Sequence, residues 1–285
     1  MCAGETTASG WSYYSSSGIY RDVDMSSCGF TSTPVVSSSL SGSSSHWTST
    51  GGAELYSITP SGFRTYVAST ITASQAGSST YNWHVNWIAA PATLSRAFCA
   101  GATTASGWNY YSSSGIYRDV DISGCGFTTS PVVVTNIAGS SSHWTTNGGA
   151  EPYSISTTSF RNYISTTITA SQAGSSTYNW HLNWIAAEPV LSPTFCAGKT
   201  TASGWTYYSS SGIYRDIDIS GCGFTSAPVI SSSLSGSSSH WTSTGGAETY
   251  SVTATSFRIY ISSSITASQA ASSTYNWHVH WIAKP

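Results

Sequence analysis

The sequence is short of charge, and this shortage excludes one broad class of function. Only 7% of its 285 residues are charged, against about 25% in a typical soluble domain. Lysine occurs only at Lys199 and Lys284, the net charge is −2, and no basic run occurs. Because binding to the phosphate backbone of a nucleic acid needs clustered lysines and arginines, we expect no nucleic-acid partner.

Long apolar runs and helix-forming residues are also scarce. No run approaches the roughly 18 apolar residues of a membrane span, so we expect no membrane span, and Met1-Cys2-Ala3 does not open a signal peptide. Leu and Met are few, whereas 26 Gly, 18 Tyr and 12 Trp favour strands and turns over helices. A hydrophobic content of 39% predicts packed cores rather than a disordered Ser/Thr-rich linker.

One sequence repeat occurs three times along the chain. The phrase Cys-Ala-Gly-x-Thr-Thr-Ala-Ser-Gly-Trp begins at Cys2, Cys99 and Cys196, in steps of 97 residues. A period this long indicates a whole small domain rather than a solenoid repeat or a propeller blade. The least similar stretches, 91–98 and 188–195, carry prolines and are interpreted as linkers. The sequence therefore predicts three domains, at 1–90, 99–187 and 196–285.

Period-2 alternation within a copy indicates strands. In 81–87, Trp83, Val85 and Trp87 share one face, and 63–67 alternates likewise. Further candidate strands cover 19–25, 34–40 and 54–58. Five or six strands without a helical pattern in about 90 residues predict an all-β fold, with a small antiparallel β-sandwich or barrel in each copy.

Each copy has two cysteines, 26 positions apart. Six cysteines allow fifteen pairings, but identical repeats favour one bridge within each copy. The favoured bridges are Cys2–Cys28, Cys99–Cys125 and Cys196–Cys222. They indicate an oxidising, extracellular setting, and reduced buried thiols in a cytosolic protein stay open as the alternative. No Cys-x-x-Cys pair occurs, which argues against a zinc ribbon.

Catalytic constellations are weak. The charged residues shared by all copies are Arg21, Asp22, Asp24, Glu54 and Arg64. A carboxylate pair can hydrolyse a glycoside, but Asp22 and Asp24 share a strand face beside Arg21, which indicates a solvated ion pair. Ser is too abundant for one nucleophile to stand out, and no Gly-x-Ser-x-Gly elbow occurs. We therefore expect a non-catalytic protein without a cofactor.

His46-Trp47, followed by Gly51-Gly52, is the segment that best fits ligand binding. A flat aromatic ring beside polar groups on a glycine-rich turn covers the apolar face of a pyranose while the polar groups bracket its hydroxyls. The alternative interpretation is that Trp47 only plugs the end of the sandwich.

Histidines on the last predicted strand form a second cluster if the three copies pack about a pseudo-threefold axis. The residues that would face this axis are His84, His181 and His278, with Asn86, Asn183 and His280 in the next layer. Three histidines can hold zinc, but a hydrogen-bonded polar core is the favoured interpretation, so no metal is expected.

Short motifs that span most of each copy carry a resemblance to a known family. In the first copy they are Cys2-Ala3-Gly4, Trp11, Pro34-Val35-Val36, the run from Leu55 to Phe63, Tyr81 and Trp87-Ile88-Ala89. In this order they resemble the H-type lectin domain of the snail agglutinins, which bind N-acetylgalactosamine. The resemblance implies six-stranded antiparallel β-sandwiches that assemble as trimers, with glycan sites near the subunit boundaries.

Three copies in one chain would supply that trimer covalently, as an intrachain pseudo-threefold trimer that is monomeric as a chain and able to assemble further. The family's binding residues are replaced: its arginine falls near Thr50, the early loop 15–18 has no acid, and the late loop 74–79 has no Trp-His pair. Cys28 also lies a few residues before the family's cysteine. The resemblance therefore implies the fold, and a galactose or N-acetylgalactosamine type of sugar only in outline.

The sequence predicts a secreted, multivalent carbohydrate-binding protein, a lectin with three equivalent sites for cell-surface or polysaccharide glycans. The alternative is an extracellular-matrix or coat protein built of ligand-free sandwich repeats. The predicted ligand-binding residues are Tyr14, Ser16, Asp22, His46, Trp47 and Gln75 in the first copy; Tyr111, Ser113, Asp119, His143, Trp144 and Gln172 in the second; and Tyr208, Ser210, Asp216, His240, Trp241 and Gln269 in the third.

Overall fold

The chain folds almost entirely into strands. The computed structural model describes residues 1–93, 95 and 97–285, and for residue 46 the backbone alone. Strands account for 48% of the chain and helices for 11%. The prediction of an all-β fold is confirmed.

The elements recur in each copy in the same order. In the first copy the strands are β1 (Cys2–Glu5), β2 (Ser12–Ser15), β3 (Gly18–Asp24), β4 (Val35–Gly42), β5 (Glu54–Thr59), β6 (Gly62–Ala68) and β7 (His84–Ala90). In the second they are β8 (Cys99–Ala102), β9 (Asn109–Ser112), β10 (Gly115–Asp121), β11 (Val132–Gly139), β12 (Thr146–Tyr153), β13 (Ser159–Thr166) and β14 (His181–Ala187). In the third they are β15 (Cys196–Lys199), β16 (Thr206–Ser209), β17 (Gly212–Asp218), β18 (Val229–Ser235), β19 (Glu248–Tyr250), β20 (Ser256–Ser262) and β21 (His278–Lys284).

Short helices stand between the strands, although the sequence pattern has no helical periodicity. The α-helices are single turns, α1 (Ala73–Ala76), α2 (Ala170–Ala173) and α3 (Ala267–Ala271). The 3₁₀ turns are Ser26–Cys28, His46–Thr48, Ser123–Cys125, His143–Thr145, Ser220–Cys222 and His240–Thr242. A single turn is too short to show a 3.6-residue period, which is why the pattern missed these helices.

Most of the predicted strands form where expected in the first copy. Strands β3 to β6 lie within two residues of the predicted bounds. Strand β7 begins three residues later than predicted because Asn82 adopts a left-handed backbone conformation, with φ 50°, which ends the extended run. Strands β1 and β2 were not predicted, since four residues are too few for a clear alternation.

The predicted disulfides are present. Cys2 bonds to Cys28, Cys99 to Cys125 and Cys196 to Cys222, with Cα–Cα distances of 5.8–5.9 Å. Each bridge ties the first strand of a copy to the 3₁₀ turn that follows the third strand. The alternative of reduced thiols is therefore excluded for this structure.

Strands of different copies pair with each other, so two sheets continue across copy boundaries. One sheet has the order β1-β7-β4-β19-β20-β17-β16 and another β2-β3-β6-β5-β11-β14-β8. The remaining sheets are β12-β13-β10-β9 and β15-β21-β18. Pairing within a copy is antiparallel, whereas the boundary pairs β4–β19 and β5–β11 are parallel.

Apolar side chains of two sheets meet in each copy's core. In the third copy, Ile213 and Phe257 from β17 and β20 meet Leu234 and Val279 from β18 and β21. A further cluster draws on all three copies and includes Ile88, Ile185 and Ile282 of the last strands. Ile88 lies on the same face of β7 as the polar residues His84 and Asn86. This face of the last strand therefore contacts the last strands of the other two copies through its isoleucine.

The predicted linkers fold back onto the strands that follow them. Thr93 bridges to Ala100, and Val190 bridges to Ala197, both antiparallel. Phe98 and Phe195 meet edge-on with ring centroids 5.7 Å apart. The linkers thus pack against the copies they join, and the domain bounds 1–90, 99–187 and 196–285 stay a prediction.

Candidate functional site

Exposed aromatic rings meet at each copy boundary. The centroid of the Tyr14 ring in the first copy lies 5.8 Å from that of Trp144 in the second, and the ring planes are tilted by 32°. The arrangement recurs for Tyr111 with Trp241 at 5.9 Å and for Tyr208 with Trp47 at 5.8 Å. These tryptophans are 38–40% exposed and these tyrosines 43–46%. The predicted tyrosine and tryptophan therefore come together, but the tryptophan belongs to another copy.

A row of side chains continues each pair along the sheet. Tyr14 meets Tyr20 edge-on at 6.4 Å, and the Arg64 guanidinium lies 4.2 Å from the centre of the Tyr20 ring. Arg64 Nε donates to Asp22 Oδ1 at 2.6 Å and Arg64 Nη2 donates to Asp22 Oδ2 at 2.8 Å. We call the row of Trp144, Tyr14, Tyr20, Arg64 and Asp22 an aromatic ridge. The other two ridges are Trp241, Tyr111, Tyr117, Arg161 and Asp119, and Trp47, Tyr208, Tyr214, Arg258 and Asp216.

Strand register places the ridge on one sheet face. Asp22 on β3 lies opposite Arg64 on β6, and Tyr20, two residues before Asp22, shares its face. Tyr14 reaches this face because the hairpin between β2 and β3 is tight. A Cβ at Gly18 in that hairpin would lie 2.4 Å from a backbone oxygen of β6, so only glycine fits there.

The far end of the ridge is charged and open to solvent. The hydrogen bond from Arg64 holds the pKa of Asp22 below its usual value, so both groups are ionised at neutral pH. A depression of about 320 Å³ lies beside them and includes Ser57 and Thr59 in its lining. The second copy has one of about 360 Å³ beside Asp119. Such an end can exchange hydrogen bonds with the hydroxyls of a bound ligand.

Two of the predicted histidines, His143 and His240, lie inside the protein. His143 is fully buried, with its ring centroid 4.0 Å from that of Tyr56 and stacked 5.8 Å from Trp180. His240 is 4% exposed. Burial lowers the pKa of His143 to about 3 and that of His240 to about 4, so both rings are neutral at pH 7. We correct their assignment from ligand contact to packing, and the side chain of His46 lies outside the described residues.

The predicted glutamines cap the short helices. The backbone N–H of Thr72 donates to Gln75 Oε1 at 2.9 Å, and the backbone N–H of Gln75 donates to the Thr72 hydroxyl at 3.2 Å. This reciprocal pair is a capping box, which the Thr-x-x-Gln spacing in the sequence already contained. The glutamines that fill this role are Gln75, Gln172 and Gln269, and their contact with a ligand stays a prediction.

The predicted serines lie at the exposed tip of the tyrosine hairpin in each copy. They are Ser16, Ser113 and Ser210. In the first copy Ser16 stands between Ser15 and Ser17, whose hydroxyls hydrogen bond to each other at 2.5 Å. Ser16 therefore remains beside the ridge, close in sequence to Tyr14.

The glycines that follow each tryptophan lie at the centre of the molecule. A Cβ at Gly52 would lie 3.5 Å from the Cα of Gly149, one at Gly149 3.4 Å from the Cα of Gly246, and one at Gly246 3.1 Å from the Cα of Gly52. The three copies converge here, and we call this meeting line the central axis. The expected glycine-rich turn beside a sugar is corrected to a contact between copies.

A buried carboxyl follows each glycine pair. Glu54, Glu151 and Glu248 are 2–3% exposed and line a cavity of about 30 Å³ on the central axis. Each accepts a hydrogen bond from another copy: Glu54 from Thr146, Glu151 from Ser243 and Glu248 from Ser49. Burial raises the pKa of Glu54 to about 8 and raises the pKa of Glu151 and Glu248 well above the usual value, which favours the protonated form of all three carboxyls at neutral pH.

The histidines of the last strands do not form a metal centre within the described residues. Nδ1 of each ring lies 2.7–2.9 Å from a carbonyl oxygen of its own copy; the rings are those of His84, His181 and His278. No group of three His, Cys, Asp or Glu residues in the part of the chain that the structure describes is placed to hold a metal ion. Of the expected next layer, Asn86, Asn183 and His280 are all buried.

Sequence reasoning missed two ridge residues and the exchange between copies. The sequence pattern does not single out Tyr20, and it marks Arg64 only as a charge shared by all copies. The alternation in 62–68 contained a signal, since it places Arg64 on the face opposite the buried Phe63. The sequence contains no signal that each tyrosine pairs with the tryptophan of another copy, because the copies are nearly identical and do not show which copy each tryptophan contacts.

Comparisons with known proteins leave the family open. No protein-family model, no curated protein and no solved structure matches this chain. Membership of the H-type lectin family therefore stays a prediction from the short motifs. Among the described residues, no helix is long and apolar enough to cross a membrane.

Proposed function

We propose that this chain is a multivalent carbohydrate-binding protein, an H-type-like lectin whose three equivalent sites are the aromatic ridges. The observation that carries this proposal is the pair of exposed rings, Trp144 with Tyr14, recurring at every copy boundary. Soluble proteins rarely leave large aromatic rings together at the surface unless they serve binding.

The chemistry of a ridge suits a sugar. The open surface of the tryptophan and tyrosine rings can cover the apolar face of a pyranose ring. Arg64 offers N–H donors and Asp22 offers carboxylate oxygens, which together match hydroxyls that both donate and accept. Specificity would then come from the charged end, and binding energy from the rings.

We propose further that the three copies are β-sandwich domains closed into a pseudo-threefold ring. The parallel pairings β5–β11 and β4–β19 support this arrangement, as does the cyclic order of the carboxyl hydrogen bonds, first copy to second, second to third and third to first. A closed ring leaves no unmatched contact surface at its ends. It would hold three weak sites at fixed separations, so a surface that presents repeated sugars would be bound by avidity.

The setting we propose is extracellular, where glycans are displayed and disulfides persist. The three bridges support it. We propose a non-catalytic role, because in each ridge the aspartate is already engaged by an arginine.

A glycan array with a triple variant tests the proposal. We expect the wild-type protein to bind galactose-type or other glycans at neutral pH, with or without calcium. The variant with Trp47→Ala, Trp144→Ala and Trp241→Ala should lose this binding while keeping its circular dichroism and its disulfides.

The matched control replaces exposed tyrosines outside the ridges. Its changes are Tyr13→Ala, Tyr110→Ala and Tyr207→Ala, at side chains 61–67% exposed. Each neighbours a ridge tyrosine on the same strand and points to the other face, so binding should be unchanged. A folded tryptophan variant that binds as well as the wild type would end the ridge assignment and favour the structural or coat protein.

A further inference from the structure

A second set of clefts lies between the copies, away from the ridges. Between the second and third copies a cleft of about 270 Å³ is lined by Ser154 of the second copy and by Lys199, Asn276, His278 and His280 of the third. The equivalent cleft between the first and second copies measures about 580 Å³. We call these the junction clefts.

Each junction cleft has strained backbone on both walls. Ser154 and Asn276 adopt left-handed conformations with φ 51° and 49°. Serine is uncommon in this region, and such strain concentrates at functional sites. The left-handed turn at Asn276 directs its carbonyl oxygen to His278 Nδ1 at 2.7 Å, so this nitrogen carries the proton and the ring is held in place.

His280 lines the cleft between the second and third copies, and its ring is held in one orientation. The backbone N–H of Val133 donates to His280 Nδ1 at 2.9 Å. Burial keeps the pKa of His280 well below its usual value, so the ring is neutral and its single proton sits on Nε2. The ring is 1% exposed, and its orientation is therefore set by packing.

The position of Lys199 differs in charge among the three copies. In antiparallel register, Lys199 lies opposite His280 in the third copy. The same position is Ala102 opposite Asn183 in the second copy, and Glu5 opposite Asn86 in the first. Opposite residues of a strand pair share one face, so each first-strand residue stands beside its cleft histidine or asparagine.

The charge at this position determines which kind of ligand can bind there. Lys199 brings a cation beside His280. Burial is the main cause that lowers the pKa of His278, and the positive charge of Lys199 adds to it. In the first copy the corresponding Glu5 carboxylate lies 3.8 Å from His84 Nε2, which places a negative charge in that position instead. The cleft with Ala102 has neither charge.

We propose that the junction cleft at Lys199 binds a sulfate-type oxyanion, free or as the ester of an acidic saccharide, and that the corresponding positions of the other two copies, at Ala102 and Glu5, do not. Lys199 supplies the charge, and His280 Nε2–H supplies a donor that needs no reorganisation. The hydroxyls of Ser154, Ser235 and Ser237, which line the cleft, complete the set of hydrogen-bond donors. This site is separate from the ridges and does not depend on their function.

Titration calorimetry at low chloride tests this assignment. The probes are sodium sulfate, a galactose sulfate ester and unsulfated galactose. We expect the wild-type chain to bind one sulfate or one sulfate ester, and Lys199→Ala to weaken both by about tenfold or more, as loss of a hydrogen bond to a charged group does. His280→Asn should weaken them to a smaller extent.

A gain-of-site variant gives the matched control. Ala102→Lys with Asn183→His copies the charged pair into the neighbouring junction cleft and should raise the stoichiometry from one to two. The triple tryptophan variant should bind sulfate as the wild type does, even if it has lost every neutral glycan. Unchanged binding in folded Lys199→Ala, three sulfates per wild-type chain, or no added site in the double variant would each overturn the assignment. Equal affinity for sulfate and its ester would identify a site for the free anion, and tighter binding of the ester one for the saccharide.

Discussion

The central axis and the aromatic ridges are made from the same short segment of each copy, but its two ends lie in opposite environments. In the second copy Trp144 at the start of this segment is 38% exposed, whereas Glu151 near its end is 3% exposed. Both residue types are the same in all three copies. Identity between copies therefore does not distinguish a residue that binds ligand from one that joins the copies.

What differs between the two regions is the partner of each side chain. At the axis, glycines and carboxyls contact the other copies and leave almost no free volume. On the ridges, rings and charges lie at the surface, where a change removes few contacts. We therefore expect axis substitutions to lower stability and ridge substitutions to lower binding.

The largest effect is expected from Gly148→Ala at the axis. Gly148 has φ 82°, and a Cβ there would lie 2.6 Å from the hydroxyl of Ser243 in the third copy. The left-handed conformation alone costs roughly 1–2 kcal/mol for a residue with a Cβ, and overpacking adds about 1–3 kcal/mol. Urea unfolding should show a loss of stability equal to this sum.

Gly126→Ala in the same copy is the control. Gly126 has φ 73°, and a Cβ there would meet nothing within 4 Å. It carries the backbone cost without the clash. Equal losses of unfolding free energy in the two variants would mean that the copies are not closely packed at the central axis.

A pH-dependent effect is expected from Glu54. Its pKa is about 8 in the folded protein and 4.5 for an ordinary glutamate. Between these values the folded state keeps a proton that the unfolded chain releases, so stability is full below about pH 4.5 and falls as the pH rises towards 8. The slope contributed by one such group is at most about 1.4 kcal/mol per pH unit.

Glu54→Gln removes this titration while keeping an oxygen that accepts from Thr146. Urea unfolding from pH 5 to 8.5 should therefore show a flatter decline in the variant and a more stable variant at the upper end. Asp24→Asn is the control, since Asp24 is an exposed carboxylate whose pKa is lowered by hydrogen bonds from Ser26. A wild-type stability that does not fall over this range would refute a buried, protonated Glu54.

The smallest effect on stability is expected on the ridges. Replacing Arg64, Arg161 and Arg258 by Lys keeps the charge but removes the two-pronged contact with aspartate. Exposed ion pairs contribute about 0.2–1 kcal/mol each, so thermal unfolding should shift little. Glycan affinity should fall clearly. A large loss of stability with unchanged affinity would reverse the roles given to the two regions.

Local pattern was sufficient for much of the fold. Strands β3 to β6 and the disulfides followed from alternation and from cysteine spacing, because both depend on residues close in sequence. The capping box of Thr72 and Gln75 was equally local, but Gln75 was assigned to ligand binding. Polar residues in loops satisfy both interpretations until their hydrogen-bond partners are known.

The candidate site was predicted only in part, for a different reason. The structure brings Tyr14 and Asp22 to one surface with Trp144 of another copy instead of Trp47, whereas His143 is buried. An exposed and a buried ring beside each other in sequence look alike until the neighbouring copy is placed. Tyr56 of the first copy covers the His143 ring, and the sequence does not name that contact.

By itself, the sequence determined the all-β fold, the three repeated units and the pairing of the cysteines, because alternation and repetition are properties of the chain alone. Only the tertiary structure decided that Trp144 pairs with Tyr14, that the glycines meet at the axis, and that the junction clefts differ in charge. The first copy is joined to the second where β5 runs parallel to β11, and to the third where β4 runs parallel to β19. Such pairings join residues about one or two copies apart, and their register depends on how whole sheets pack rather than on any short stretch of residues.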